Sequence, residues 1–269
     1  MNNYLIFVST NAQIICMTIT FLGTGTSQGI PMIANNHPVC LSTDSKDKRS
    51  RSSIMISWSD ATYVIDCGPD FRTQMLRENV QHIDGILFTH EHADHTAGFD
   101  DVRPFSYQMG DVPIYADERT LLSLQKRFEY IFETKNRYPG APKVTVNLVE
   151  DASFKLKNVL VTPIQAMHGK LPVTCYRFQD FVYLTDVKSI SEVEKRKLKG
   201  VKTLVVNALR IEEHPTHFNL QEALDFVKEI APERTFFTHI SHRLGFHEII
   251  QKELPKNVFL AYDGLKIEV

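Results

Sequence analysis

The sequence predicts an α+β protein in which two sheets are sandwiched between helices. Three observations carry that expectation: strand signals in both halves, helical stretches set between them, and a hairpin signal near the C-terminus that breaks any strict βαβ alternation. At 269 residues, 43% hydrophobic and 23% charged, the chain lies at the upper end of what one core usually supports, so one domain is expected. Met17 opens directly onto the apolar run Thr18 to Leu22. Residues 1–16 therefore read as an N-terminal extension or leader and residues 17–269 as the domain. Tyr4 to Val8 is apolar but lacks the basic start of a signal peptide, and no segment approaches the roughly 18 apolar residues of a membrane span.

Taken in order, Thr18 to Leu22 reads as a strand and runs into Gly23-Thr24-Gly25-Thr26-Ser27-Gln28-Gly29. A dinucleotide fingerprint would continue into a helix, but Ile30-Pro31 follows, so a tight loop at the mouth of a site is expected. Ile54 to Trp58 alternates, Thr62 to Ile65 is β-branched and aromatic, and Ile83 to Thr89 is a short apolar run, all strand signals. Phe71 to Val80 and Glu118 to Phe132 have helical spacing, and Asn219 reads as the N-cap of an amphipathic helix beginning at Leu220. Asn158 to Pro163, Phe181 to Thr185, Thr203 to Asn207 and Thr235 to Thr238 read as further strands. Val258 to Tyr262 and Leu265 to Val269 flank Asp263-Gly264, which predicts a hairpin.

With 30 Lys plus Arg against 32 Asp plus Glu, the formal charge of −2 gives no footprint for generic nucleic-acid binding, though a small anionic substrate is compatible. The basic runs Lys46 to Arg51 and Lys195 to Lys199 read as solvated faces, the first lying near enough to the glycine loop in sequence to serve phosphate. Cys16, Cys40, Cys67 and Cys175 show no CxxC pairing, which argues against a disulfide framework and for a reducing, cytoplasmic setting.

The chemistry concentrates in His90-Glu91-His92-Ala93-Asp94-His95, directly after the apolar Ile86-Leu87-Phe88. Imidazoles and a carboxylate without thiolate suit zinc, manganese or iron at a hydrolytic centre that keeps positions open for water. An HExxH zinc helix is excluded, because Asp94 stands where its second histidine should be.

His90-x-His92-x-Asp94-His95 resembles the HxHxDH signature of the metallo-β-lactamase superfamily. The resemblance implies a four-layer αββα sandwich and two divalent metals, zinc or manganese, with His90 and His92 on one and Asp94 and His95 on the other. It also implies later ligands in a fixed order, which His168, Asp186 and His239 supply. Thr238-His239-Ile240-Ser241-His242, Tyr262-Asp263-Gly264 and the glycine loop are similar to the branch of the phosphonate-pathway cyclic-phosphate phosphodiesterase, with ribonuclease Z and pyrroloquinoline-quinone biosynthesis protein B as neighbours. That branch implies a phosphate-facing histidine, matched by His217, with His214 as a surface-loop alternative. It implies a metal-bridging hydroxide oriented by Asp94, bridging by Asp186, and Asp66 orienting a ligand histidine. It further implies a structural zinc, of whose ligands only His37, Cys40 and His242 have counterparts here, short of the four that such sites hold. The expected function is hydrolysis of small or cyclic phosphodiesters without a membrane partner, with nucleic acid disfavoured but left open. A tRNA 3'-processing endonuclease and a non-catalytic metal-binding accessory protein are the alternatives, and a homodimer is left open.

Overall fold

The computed structural model describes residues 15–269; the leader assigned to residues 1–16 falls almost wholly outside them. In chain order the strands are β1 (Thr18–Gly23), β2 (Ser53–Trp58), β3 (Ala61–Ile65), β4 (Gly85–Leu87), β5 (Val112–Ala116), β6 (Val144–Leu148), β7 (Phe154–Leu156) and β8 (Val159–His168). They continue as β9 (Leu171–Phe178), β10 (Phe181–Leu184), β11 (Ser189–Ile190), β12 (Thr203–Asn207), β13 (Arg234–Thr238), β14 (Val258–Leu260) and β15 (Lys266–Glu268). The first sheet has the order β15-β1-β2-β3-β4-β5-β6, and the second runs β11-β8-β9-β10-β12-β13-β14 with β7 also on β8.

Side-chain alternation along these strands explains why the sheets pack face to face. Phe181, Tyr183, Val205 and Phe236 join Ile19, Phe21, Ile54 and Ile65 in the core between the sheets. Their sequence neighbours Val182, Leu184, Leu204, Val206 and Phe237 face outward against a helical layer. That layer includes α4 (Leu220–Ile230) and α5 (His247–Glu253). On the first sheet, Val64, Ile86 and Ile114 face outward against Phe71 and Met75 of α1 (Phe71–Arg77), Phe105 of α2 (Arg103–Met109) and Leu124 of α3 (Glu118–Arg127). The result is the four-layer αββα sandwich. α4 begins at the expected N-cap, Asn219, and the structure completes a capping box there: Asn219 accepts from Glu222 N while the Glu222 carboxylate accepts from Asn219 N.

Three expectations change. The long helix over 118–132 is interrupted at Phe128, whose φ −123°, ψ 41° leave the helical region. Asp263-Gly264 closes no hairpin: β14 lies parallel to β13 in the second sheet, whereas β15 lies antiparallel to β1 in the first. The turn carries the chain between sheets because the Asp263 carboxylate accepts from Thr24 N and Oγ1 and from Ser50 N and Oγ, which binds it to the glycine loop. The run Lys46 to Arg51 is also no simple solvated face. Arg49 is buried, donating to Thr24 Oγ1 and the Ala261 carbonyl and facing His247 Nδ1, and burial lowers its pKa to about 10.

No helix among the described residues is long and apolar enough to cross a membrane. All four cysteines are free, three of them buried.

Candidate metal centre

Strands β3, β4, β5 and β6 are mutually parallel, as are β10, β12, β13 and β14. Parallel strands deliver their carboxyl ends to one edge, and that is where the predicted residues lie. Asp66 follows β3, the His90–His95 run follows β4, Asp186 follows β10, His239 follows β13, and His168 ends β8. Asp66, Asp186 and His239 all have left-handed backbones, with φ of 66°, 59° and 53°. Such conformations cost about 1–3 kcal/mol for side chains other than glycine and cluster at functional sites.

Asp186 is the hub. His239 Nδ1 lies 2.9 Å and His95 Nε2 3.4 Å from its Oδ1, while His217 Nε2 lies 3.3 Å and His90 Nε2 3.8 Å from its Oδ2. Three groups of metal-competent atoms, each within 4.8 Å of one another, share it: Asp94, His95 and His239; His90 and His92; His168 and His217. The ring centroids of His92 and His168 stand 5.2 Å apart, so His168 closes the His90–His92 side. All seven residues predicted as ligands therefore converge.

Hydrogen bonds outside the cluster fix the rings. Asp66 takes His95 Nδ1 at 2.7 Å and both Thr89 N and Oγ1 at 2.8 Å, which orients His95 from behind. His168 Nδ1 meets the Thr216 carbonyl at 2.8 Å. Thr26, from the glycine loop, places Oγ1 3.3 Å from His239 Nε2, so the loop does reach the site.

Burial opposes charge on Asp186, yet His239 and His95 beside it hold its carboxyl well below the usual range. Burial likewise opposes a charged His95, but Asp94, Asp186 and Asp66 push its pKa well above that of a free imidazole. The carboxylates thus create a pocket that favours positive charge. His90 Nε2, His95 Nε2 and His239 Nδ1 are buried without a hydrogen-bond partner, a costly state for polar atoms and the one expected of ligand lone pairs. The donor set and these orphaned atoms fit divalent metal ions.

His217 stacks on His239 with centroids 4.9 Å apart, and burial drives its pKa down to about 4 despite its contact with Asp186. His214 touches His217 Nδ1 at 3.1 Å, one shell further from Asp186. His37 and His242 meet edge-on at 5.0 Å near buried Cys40, but the three form no metal-competent group among the described residues.

Sequence reasoning missed two supports. Asn207, at the end of β12, clamps the loop after Asp186 by accepting from Val187 N at 2.6 Å and donating to its carbonyl at 3.0 Å. Arg127, on α3, donates to the Glu91 carbonyl and Thr96 Oγ1, bracing the loop that bears His92 and Asp94. A strand-end asparagine was visible as a turn former, but nothing in the sequence joins Arg127 to a loop more than thirty residues earlier.

Residues 61–240 match the model of a beta-lactamase superfamily domain. The chain is similar to a crystal structure of a diphosphatase from the PhnP family, with TM-score 0.89 and 39% identity, covering 95% of this chain and 98% of that one. It shares its fold with zinc-bound PqqB of Methylobacterium extorquens, at TM-score 0.76 and 16% identity over 94% of this chain and all of that one. It is also 37% identical over 254 residues to an octanoyltransferase of Porphyromonas gingivalis (strain ATCC BAA-308 / W83), covering 93% of this chain. The chain spans about half, 51%, of that curated relative's length.

Proposed function

The chain belongs to the metallo-β-lactamase superfamily of hydrolases, and from that membership we propose that it is a dinuclear phosphodiesterase acting on small or cyclic phosphodiesters. The observation that carries this reading is the set of four histidines at Asp186: His217 sits 3.3 Å from the shared carboxylate while His95, His239 and His90 surround the same group. His217 stands in addition to the seven residues that complete a dinuclear ligand set, which supports a role toward the substrate.

His90, His92 and His168 would hold one metal, Asp94, His95 and His239 the other, and Asp186 both, with zinc or manganese as the proposed ions. Two such ions supply a lowered water pKa and stabilise charge on attacking and leaving oxygens. The remaining work belongs to the chain. Asp94 orients the attacking oxygen, and Asp66 holds His95 in the required tautomer. His217 delivers a hydrogen bond or proton to the departing oxygen, its ring held by Thr216 Oγ1 at 3.0 Å.

The relative named a diphosphatase supports phosphoryl chemistry over acyl chemistry. Burial pushes the Cys67 and Cys175 thiols up, away from reactive thiolate, which counts against acyl transfer through either of them. The test is hydrolysis of bis(p-nitrophenyl) phosphate and of 5'-phosphoribosyl cyclic phosphates with added manganese or zinc, beside thiolester, β-lactam and precursor tRNA panels. Turnover confined to thiolesters or lactams would remove this proposal.

A further inference from the structure

Three alternate residues of β9, in the second sheet, are tied to the segment from Phe88 to Glu91 that leaves β4 of the first. Tyr176 Oη donates to the Phe88 carbonyl at 2.6 Å, and Thr174 N donates to the Thr89 carbonyl at 2.9 Å. The third tie runs through a side chain of α3. Arg119 Nη2 donates to the Pro172 carbonyl and stands 3.0 Å from Glu91 Oε2. Glu91 Oε2 is buried without a hydrogen bond, so the guanidinium charge is what compensates it.

Both ends of this clip lie one residue from a metal ligand. Glu91 separates His90 from His92, while Pro172 is paired across the hairpin with Met167, the residue before His168. The three ligands of one metal position therefore come from two sheets, and one guanidinium nitrogen spans the join. α3 does not need Arg119 to stay in place. Its N-cap Asp117 accepts from Thr120 N at 2.7 Å and from Thr174 Oγ1 at 3.2 Å, and its Leu124 is fully buried. The second metal position has supports of its own, with Asp66 behind His95 and Thr26 beside His239.

We propose that Arg119 is a positioning residue, which fixes the separation of His168 from His90 and His92 and so acts on one metal position and not on the other. A group that holds ligands at their working distance lowers the cost of gathering them when the ion binds. The inference rests on the dinuclear ligand assignment and is independent of which ester is cleaved.

The test is a titration of chelator-stripped protein with Co²⁺, followed by calorimetry and by visible absorption of the bound ion. The wild type should take up two equivalents. Arg119→Gln should weaken one of them by about 10- to 100-fold, the range for groups that orient ligands, and leave the other unchanged. Made in His92→Ala, where the Asp94, His95 and His239 position remains, the same change should have no further effect, because two changes directed at one site do not add. Arg119→Lys, which keeps a charged donor, should recover part of the loss. Glu91→Gln keeps the shape and the Pro172 tie, so it should weaken the same equivalent less; it keeps the proposal testable if Arg119→Gln does not fold. Unchanged affinities in Arg119→Gln overturn the proposal. Equal weakening of both equivalents, or a loss that persists in His92→Ala, also overturns it and makes Arg119 a general strut between α3 and the sheets. Uptake of fewer than two equivalents by the wild type instead brings down the dinuclear reading, and this inference with it.

Discussion

Around Asp186, three ring nitrogens are buried without a well-formed hydrogen bond, whereas in the corner formed by His37, Cys40 and His242 each ring has a partner from its own chain. There His37 Nδ1 accepts from Val39 N at 3.3 Å, and His242 Nε2 stands 3.3 Å from Asn35 Nδ2. Both corners are histidine-rich and lie close to the glycine loop, yet only one leaves lone pairs exposed to each other. A fold tolerates unmatched buried polar atoms where a ligand completes them, so satisfaction of nitrogens separates a ligand site from a pinned loop better than histidine count does.

The contrast is broken most severely by His92→Ala. This change should take metal-dependent turnover to background and lower metal content, while leaving circular dichroism nearly unchanged, because removing one ligand mainly opens the site. Full activity in the variant would show that the orphaned nitrogens serve something else. Next in size, His217→Ala should keep both metals and slow hydrolysis by about 10²- to 10⁴-fold. The loss should be far greater for an alkyl or ribosyl leaving oxygen than for p-nitrophenolate, which scarcely needs a proton; equal losses would assign His217 to the phosphoryl oxygens instead.

Asp66→Asn removes only the group behind His95, and about 10- to 100-fold in metal affinity or activity is expected. An unaltered metal titration would mean that the His95 ring needs no carboxylate behind it. The smallest effect belongs to the second corner. His242→Ala should cost about 1 kcal/mol or less in denaturant unfolding, with metal stoichiometry unchanged, since it deletes one hydrogen bond and one ring contact. Loss of one zinc equivalent in that variant would erase the distinction between the corners and install the third zinc implied by the resemblance.

Much of the metal centre was legible because its residues follow strands, and an apolar run ending in histidine or aspartate announces a site where a core would exclude it. His90, Asp186 and His239 were visible for that reason, and His217 through the motif beside its helix cap. Environment was not legible. Arg49 and Arg51 are adjacent members of one basic run, yet the first is a buried tie to Thr24 and the second borders an open cleft. Local charge cannot distinguish them, because their partners lie in the C-terminal segment and in α1's approach. Asp263-Gly264 misled for a related reason: a turn dipeptide reports a change of direction, and which sheet receives the next strand depends on the acceptors waiting there.

That turn has a consequence for how the molecule is assembled. β1 pairs on one side with β2 and on the other with β15, so its second edge stays bare until residues 266–268 arrive. The glycine loop likewise lacks the carboxylate that gathers Thr24 and Ser50 until Asp263 is in place. Contacts of such sequence separation form late, after loop-closure entropy has been met. The loop that touches His239 is therefore left unfinished until Asp263 has emerged and folded back onto it. A chain that has emerged only as far as β14 can build most of both sheets and holds all of its histidines, but it cannot shape the mouth of the site. Docking of the segment from Asp263 to Glu268 and completion of the mouth of the site therefore become one event.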